Sequence, residues 1–169
     1  MVEYPVKAEL VAKDGGTTVT FMFNPTELSF SRSMQTNASS GARTDKGIPK
    51  ISFGYFNPYS LSISNILFDT YESGEDVMDK YIDKLREALE FAKNTDRPPI
   101  YLFSWGNKEY LRCFVKSLSY KLTMFLPDCT PVRAVADLSL EELDEWDPPP
   151  SVGTPSPSSS QRQSESSRR

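Results

Sequence analysis

Apolar residues recur along this chain in two rhythms. In one stretch, about Glu75–Lys93, Val77, Tyr81, Leu85 and Leu89 return every fourth residue, with Ile82, Ala88 and Ala92 beside them. That is one stripe of a 3.6-residue period and predicts a helix. Elsewhere the rhythm is two. Val6–Val11 and Thr17–Phe23 are rich in β-branched and aromatic residues, and Lys13-Asp14-Gly15-Gly16 between them is a turn sequence, so the two predict a hairpin. Asn24-Pro25 ends the second strand, since proline has no amide donor and biases its predecessor toward extended geometry. Leu28 and Phe30 then share one side of a short strand, with Ser29, Ser31 and Ser33 on the other.

The later strands follow the same reading. Ile51–Phe56 puts Ile51, Phe53 and Tyr55 on one face. Tyr59–Phe68 puts Tyr59, Leu61, Ile63 and Asn65 opposite Ser60, Ser62, Ser64 and Ile66, a half-buried pattern. After the helix, Pro98-Pro99 oppose its continuation and Ile100–Ser104 is a strand. Trp105-Gly106-Asn107-Lys108 turns into Glu109–Tyr120. There Tyr110, Arg112, Phe114, Lys116 and Leu118 face away from Leu111, Cys113 and Val115. Neither face is cleanly polar, which predicts a cover from outside the domain. Leu118, Tyr120, Leu122, Met124 and Leu126 match Val132, Ala134, Ala136, Leu138 and Leu140 across a turn at Pro127–Pro131, with Arg133, Val135, Asp137, Ser139 and Glu141 opposite. The fold class expected is mainly β with one flanking helix.

Residues 35–50 show neither rhythm and have little to bury, so they are expected to form a long loop, either solvated or ordered against a neighbouring subunit. Arg43, Lys46 and Lys50 there are offset by Asp45 and lack phosphate-loop spacing. At the helix start, Ser73 and Asp76 resemble a capping box. Asp69, Glu72, Glu75, Asp76 and Asp79 cluster there, where capping and the helix dipole account for them better than metal binding or acid–base catalysis.

Charge and composition narrow the chemistry. The 169 residues carry a formal charge of −4 and include no histidine. Three Arg and one Glu give residues 148–169 a charge of +2, which leaves −6 on residues 1–147. An acidic body argues against nucleic acid as the main partner. Without histidine, Cys–His nucleophile pairs and His-containing zinc sites are excluded. Cys113 and Cys129 are expected to be free thiols. No catalytic, cofactor-binding or metal-binding residues are assigned, no cofactor is expected, and the chain is not read as an enzyme. The amino-terminal stretch lacks the pattern of a signal peptide and no run is long enough for a membrane helix, so assembly in the cytoplasm is expected. Residues 1–147 are read as one domain. Residues 148–169, rich in Pro and Ser with no apolar side chain but proline after Val152, are read as a disordered tail.

Four phrases together resemble a known family: Phe23-Asn24-Pro25-Thr26-Glu27, Leu67-Phe68-Asp69-Thr70-Tyr71-Glu72-Ser73-Gly74, Leu102-Phe103-Ser104-Trp105-Gly106, and Phe125-Leu126-Pro127-Asp128-Cys129-Thr130-Pro131-Val132-Arg133-Ala134. In order and spacing they are similar to the N-terminal tube domain of contractile injection system proteins, over about residues 5–143. The resemblance implies a β-sandwich or partly closed barrel of the phage tail-tube type, with a helix on its flank. It also implies a structural subunit of a phage-tail-like particle: a homo-hexameric inner-tube ring, the tube initiator joining the spike hub at the baseplate to the next tube ring. Family members often carry a peptidoglycan-binding LysM domain after the tube domain; here a Pro/Ser-rich stretch follows instead. On this reading the 35–50 loop is the candidate contact with the adjacent ring, and Ser117, Ser119, Lys121, Thr123, Asp137 and Ser139 are candidates for a polar channel wall. The alternatives are a repeated inner-tube subunit and a monomeric β-rich module that binds through residues 35–50.

Overall fold

The computed structural model describes residues 4–93 and 95–144; the predicted tail lies outside them. The chain is mostly β. A seven-stranded antiparallel sheet curls into a half-barrel in the order β2-β1-β7-β8-β9-β6-β3. Its strands are β1 (Ala8–Asp14), β2 (Val19–Thr20), β3 (Ser29–Ser31), β6 (Ser60–Asp69), β7 (Ile100–Trp105), β8 (Lys108–Phe125) and β9 (Pro131–Glu142). A separate two-stranded sheet holds β4 (Met34–Arg43) and β5 (Pro49–Phe56). The partly closed barrel with one helix is therefore the observed architecture.

The core is one cluster inside the curl. Ala8 and Leu10 of β1, Tyr101 and Phe103 of β7, and Leu111, Cys113 and Val115 of β8 join Ala134, Ala136, Leu138 and Leu140 of β9 and four residues of β6. β9 is the regular strand: Val132 to Leu140 are buried at every second position. Its two neighbours change phase. In β6 the inward residues are Leu61 and Ile63, then Ile66 and Phe68, and the register shifts between Ile63 and Ile66. Asn65, at φ 56°, makes that bulge, and its N–H donates to Asp137 Oδ1 at 2.8 Å. In β8 the inward residues are Leu111, Cys113 and Val115, then the half-buried Leu118 and Leu122, with a register shift between Val115 and Ser117. One extra residue reverses which side chains face in. This corrects two assignments: Asn65 does not share the face of Leu61 and Ile63, and Phe114 does not share the face of Leu118. The mixed faces predicted for β8 are two half-strands of opposite phase.

The helix is shorter than Glu75–Lys93. A π-helical turn, Met78–Ile82, runs into α1, Asp83–Glu87. Asp83 N–H bonds the Met78 carbonyl, five residues back. The wider turn brings Val77 and Ile82 onto the core side, with Leu85 and Ala88 following. Tyr81 instead stacks on Phe68 at 4.9 Å between ring centroids. Leu89, expected in the buried stripe, is 37 % exposed. Past Glu87 the chain tightens to three-residue bonds at Leu89 and Glu90, then unwinds so that Ala92 N–H meets the Arg97 carbonyl. Ala92 packs on the β1–β2 turn so closely that a Cβ at Gly15 would stand 2.6 Å from its own Cβ. Gly15 also sits at φ 71°, so that position needs glycine twice over.

The largest correction concerns residues 35–50. They belong to a paired β-hairpin rather than a loop. β4 and β5 run antiparallel with Thr36 opposite Phe53 and Ala38 opposite Ile51. The chain reverses where Gly47 N–H bonds the Thr44 carbonyl and Thr44 N–H bonds the Ile48 carbonyl. Every residue of β5 is exposed, so backbone pairing occurs without a buried face. The hydrophobic alternation that signals a half-buried strand is then absent from β4.

Candidate assembly surfaces

The β4–β5 hairpin is an arm that extends the β3–β6 hairpin past a break at Arg32-Ser33 and Asn57-Pro58. Polar contacts fix its base. Asn57 N–H donates to the Ser33 carbonyl at 2.9 Å, and Asn57 Nδ2 to Ser33 Oγ at 2.7 Å. Arg32 donates from Nε to the Asn57 carbonyl at 3.0 Å. Its guanidinium lies 4.8 Å from the Phe56 ring centroid and 4.7 Å from that of Tyr59, within cation–π range of both. Further out, Ile51, Phe53 and Tyr55 are 55 %, 76 % and 69 % exposed. Large apolar side chains gathered on an exposed two-stranded ribbon mark a contact surface.

The second surface is the outer face of the curled sheet. Ser29, Ser62, Ser139 and Ser117 are successive Cα partners, a row of serines across β3, β6, β9 and β8. Ser119 faces Asp137 in the next row out. Of the six residues predicted for a polar wall, Ser117, Ser119, Lys121, Thr123 and Asp137 are exposed and Ser139 is half-buried. Asp137 is already engaged by the Asn65 amide. The serine row was missed in the sequence because its members are scattered from residue 29 to residue 139, and pairing register alone brings those positions together.

The third feature is a concavity of about 460 Å³ lined by Asp69, Tyr71, Glu72, Ser73, Lys80, Tyr81 and Arg133 among others. Of its charged side chains, Asp69 pairs with Arg133 and Lys80 with Glu75. Asp69 Oδ1 accepts the Tyr71 N–H at 3.0 Å, and Oδ2 accepts Arg133 Nε and Nη2. The amide of Tyr71 first, and Arg133 second, hold the Asp69 carboxyl below its ordinary value. Lys80 holds Glu75 below its ordinary value, with Ser73 adding to the effect, and Lys80 is raised in return. Asp76 Oδ1 accepts the Met78 N–H at 2.8 Å while Ser73 Oγ turns back to the Thr70 carbonyl. The expected Ser73–Asp76 capping box is therefore replaced by a two-residue Asp cap. Among the described residues no group of three or more His, Cys, Asp or Glu is placed to hold a metal.

The four phrases singled out in the sequence meet as structural joints. Asn24 Oδ1 accepts the Ala8 N–H at 2.9 Å and its Nδ2 donates to the Val6 carbonyl at 2.8 Å. Trp105 Nε1 donates to the same carbonyl at 3.1 Å. Thr70, buried at the end of β6, donates N–H to the Val132 carbonyl at 2.7 Å. Asp128 accepts the Thr130 N–H in the β8–β9 turn, which lowers its own pKa, and Cys129 follows at φ 71°. Cys113 and Cys129 are both free thiols; burial pushes Cys113 up to about 12.

An open half-barrel with an exposed apolar arm suits a β-protein of the assembling, structural class. The chain belongs to the contractile injection system tube protein family, whose model matches residues 4–147. It is thus a structural component of a contractile injection system tube. No curated protein matches it. No helix among the described residues is long and apolar enough to cross a membrane.

Proposed function

We propose that this chain forms a homo-hexameric ring at the spike end of the inner tube, joining the baseplate hub to the first stacked tube ring. Six copies place the serine row and Ser119, Lys121, Thr123 and Asp137 toward the channel, and each arm reaches the adjacent ring. The arm carries this reading: it displays Ile51, Phe53 and Tyr55 to solvent, and it pairs as a two-stranded sheet of its own, separate from the seven-stranded one. A polar wall suits passage of cargo, because it offers no apolar patch to which cargo would adhere. The ring assembles from cytoplasmic subunits, and its partners are its own copies, the next ring and the hub. Its task needs no catalysis and no cofactor.

Cryo-electron microscopy of particles from producing cells, averaged with six-fold symmetry near the spike, tests the proposal. A single ring of this chain between hub and tube is the expected result. Density repeating along the whole tube makes it the bulk tube subunit. Its absence from the particle returns the arm to the role of a monomeric binding hairpin.

A further inference from the structure

The two faces of the β4–β5 arm differ. Met34, Thr36 and Ala38 lie directly opposite Phe56, Phe53 and Ile51, and directly paired residues share a face. Three steps along β5 from Phe53 to Phe56 match two along β4, a bulge that returns Phe56 to the side of Phe53. That face is apolar except for Thr36, and Met34, Ile51, Phe53 and Phe56 on it are all exposed. Asn37 and Ser52, direct partners one position away, take the other face, and Ser52 Oγ donates to the Asn37 carbonyl at 3.2 Å. The arm also differs from the body in charge. Arg43, Lys46 and Lys50 against Asp45 give residues 34–56 a charge of +2. The rest of residues 1–147, at −6 minus +2, carries −8. All three cations are exposed, and none has a carboxylate partner among the described residues.

We propose that the arm docks with one face down on a subunit of the adjacent ring, along an apolar strip that ends in carboxylates. Met34, Ile51, Phe53 and Phe56 lie on the strip, the cations at the tip meet the carboxylates, and Asn37 and Ser52 stay in water. This rests on the ring proposed above and gives its arm a partner of stated chemistry. Two phenylalanines standing clear of the small Thr36 and Ala38 opposite or beside them are the anchors such a contact needs. A grip on both faces would bury the Asn37 and Ser52 side chains, which costs stability unless each finds a new hydrogen bond. The tip charge fixes which end of the strip it reaches, because complementary charges set register and like charges repel. A tube subunit charged like the body of this chain offers that complement, and a basic surface does not.

Incorporation of variant chains into particles from producing cells, counted by quantitative mass spectrometry against the hub protein, tests this. Phe53→Ser is expected to lower incorporation several-fold, and Ile51→Ser does the same if Phe53→Ser does not fold. Arg43→Glu combined with Lys46→Glu also lowers it several-fold, while Asp45→Asn does not lower it. Ser52→Trp, on the other face, leaves it at the wild-type level. A loss with Ser52→Trp as large as that with Phe53→Ser overturns one-sided docking. Wild-type or higher incorporation after the charge reversal overturns the acidic partner. In both cases the arm still meets a partner, as the proposed ring requires. If Phe53→Ser, Ile51→Ser and the charge reversal all incorporate like the wild type, the arm touches nothing in the particle, which removes its contact with the adjacent ring as well.

Discussion

Arg133 donates two hydrogen bonds to one oxygen of Asp69, at 2.8 Å from Nε and 2.6 Å from Nη2, across directly paired positions of β9 and β6. The other oxygen holds the Tyr71 amide. The pair thus locks the exit of β6 into the turn that leads to the helix. Because the folded pKa of Asp69 is depressed, its contribution to stability is complete above the unfolded value of about 3.9 and is lost as pH falls through the lower folded value. Asp69→Asn is expected to melt below the wild type at neutral pH. The gap should close in acid below about pH 4. A gap that stays constant across a series of melting curves from pH 7 to acid would count against the ion pair.

Asn65 occupies left-handed geometry at the bulge of β6. Asn65→Val places a β-branched residue there and is expected to cost about 1–2 kcal/mol. Asn65→Gly should be close to neutral, because glycine adopts that geometry freely. Urea denaturation separates the two. Equal losses would mean that the Asn side chain, rather than the backbone conformation, matters at this position.

The helix stripe, the β1–β2 and β8–β9 hairpins and the strict alternation of β9 were legible because each has one buried face. The bulges of β6 and β8 were not read from the sequence, where one phase was carried through each strand, although a sign of them stands there. Ser64-Asn65 and Lys116-Ser117 each set two polar residues side by side within a strand, and at both the apolar side changes from odd to even positions. Residues 35–50 were illegible as strand because none of the β4 side chains that the structure describes is buried, so no period is imposed. The π-turn was illegible because Tyr81 is itself apolar and fills the i+4 position that Val77 predicts. Of the proposed wall, single positions were legible but the row of serines was not, since it exists only in the pairing register.

Phe53 lies on the arm and is 76 % exposed. Phe53→Ser is expected to leave the stability of the isolated chain within about 0.5 kcal/mol while reducing its incorporation into tube assemblies. Thermal melting together with negative-stain microscopy of the assemblies checks both halves. Loss of stability would mean that the arm belongs to the folding unit.

Cys113 is buried with its thiol pushed up to about 12, and Cys129 is exposed in a turn. A thiol-specific reagent at neutral pH is expected to titrate one thiol in the native chain and two in denaturant. Protection of Cys129 when assemblies form would place the β8–β9 turn at a subunit contact.

The arm joins the body by two chain crossings, pinned where Arg32 lies between Phe56 and Tyr59. With ten residues in β4, it reaches out by about 30 Å at 3.3 Å per residue. It therefore works as a lever: a tilt of about ten degrees at the clamp displaces the tip by about 5 Å over that length. The aim of the arm is set at its fulcrum by one guanidinium between two rings, while the side chains that make contact sit at the far end. Substitutions at Arg32 and at Phe53 should therefore fail differently, the first misdirecting the arm and the second blunting it.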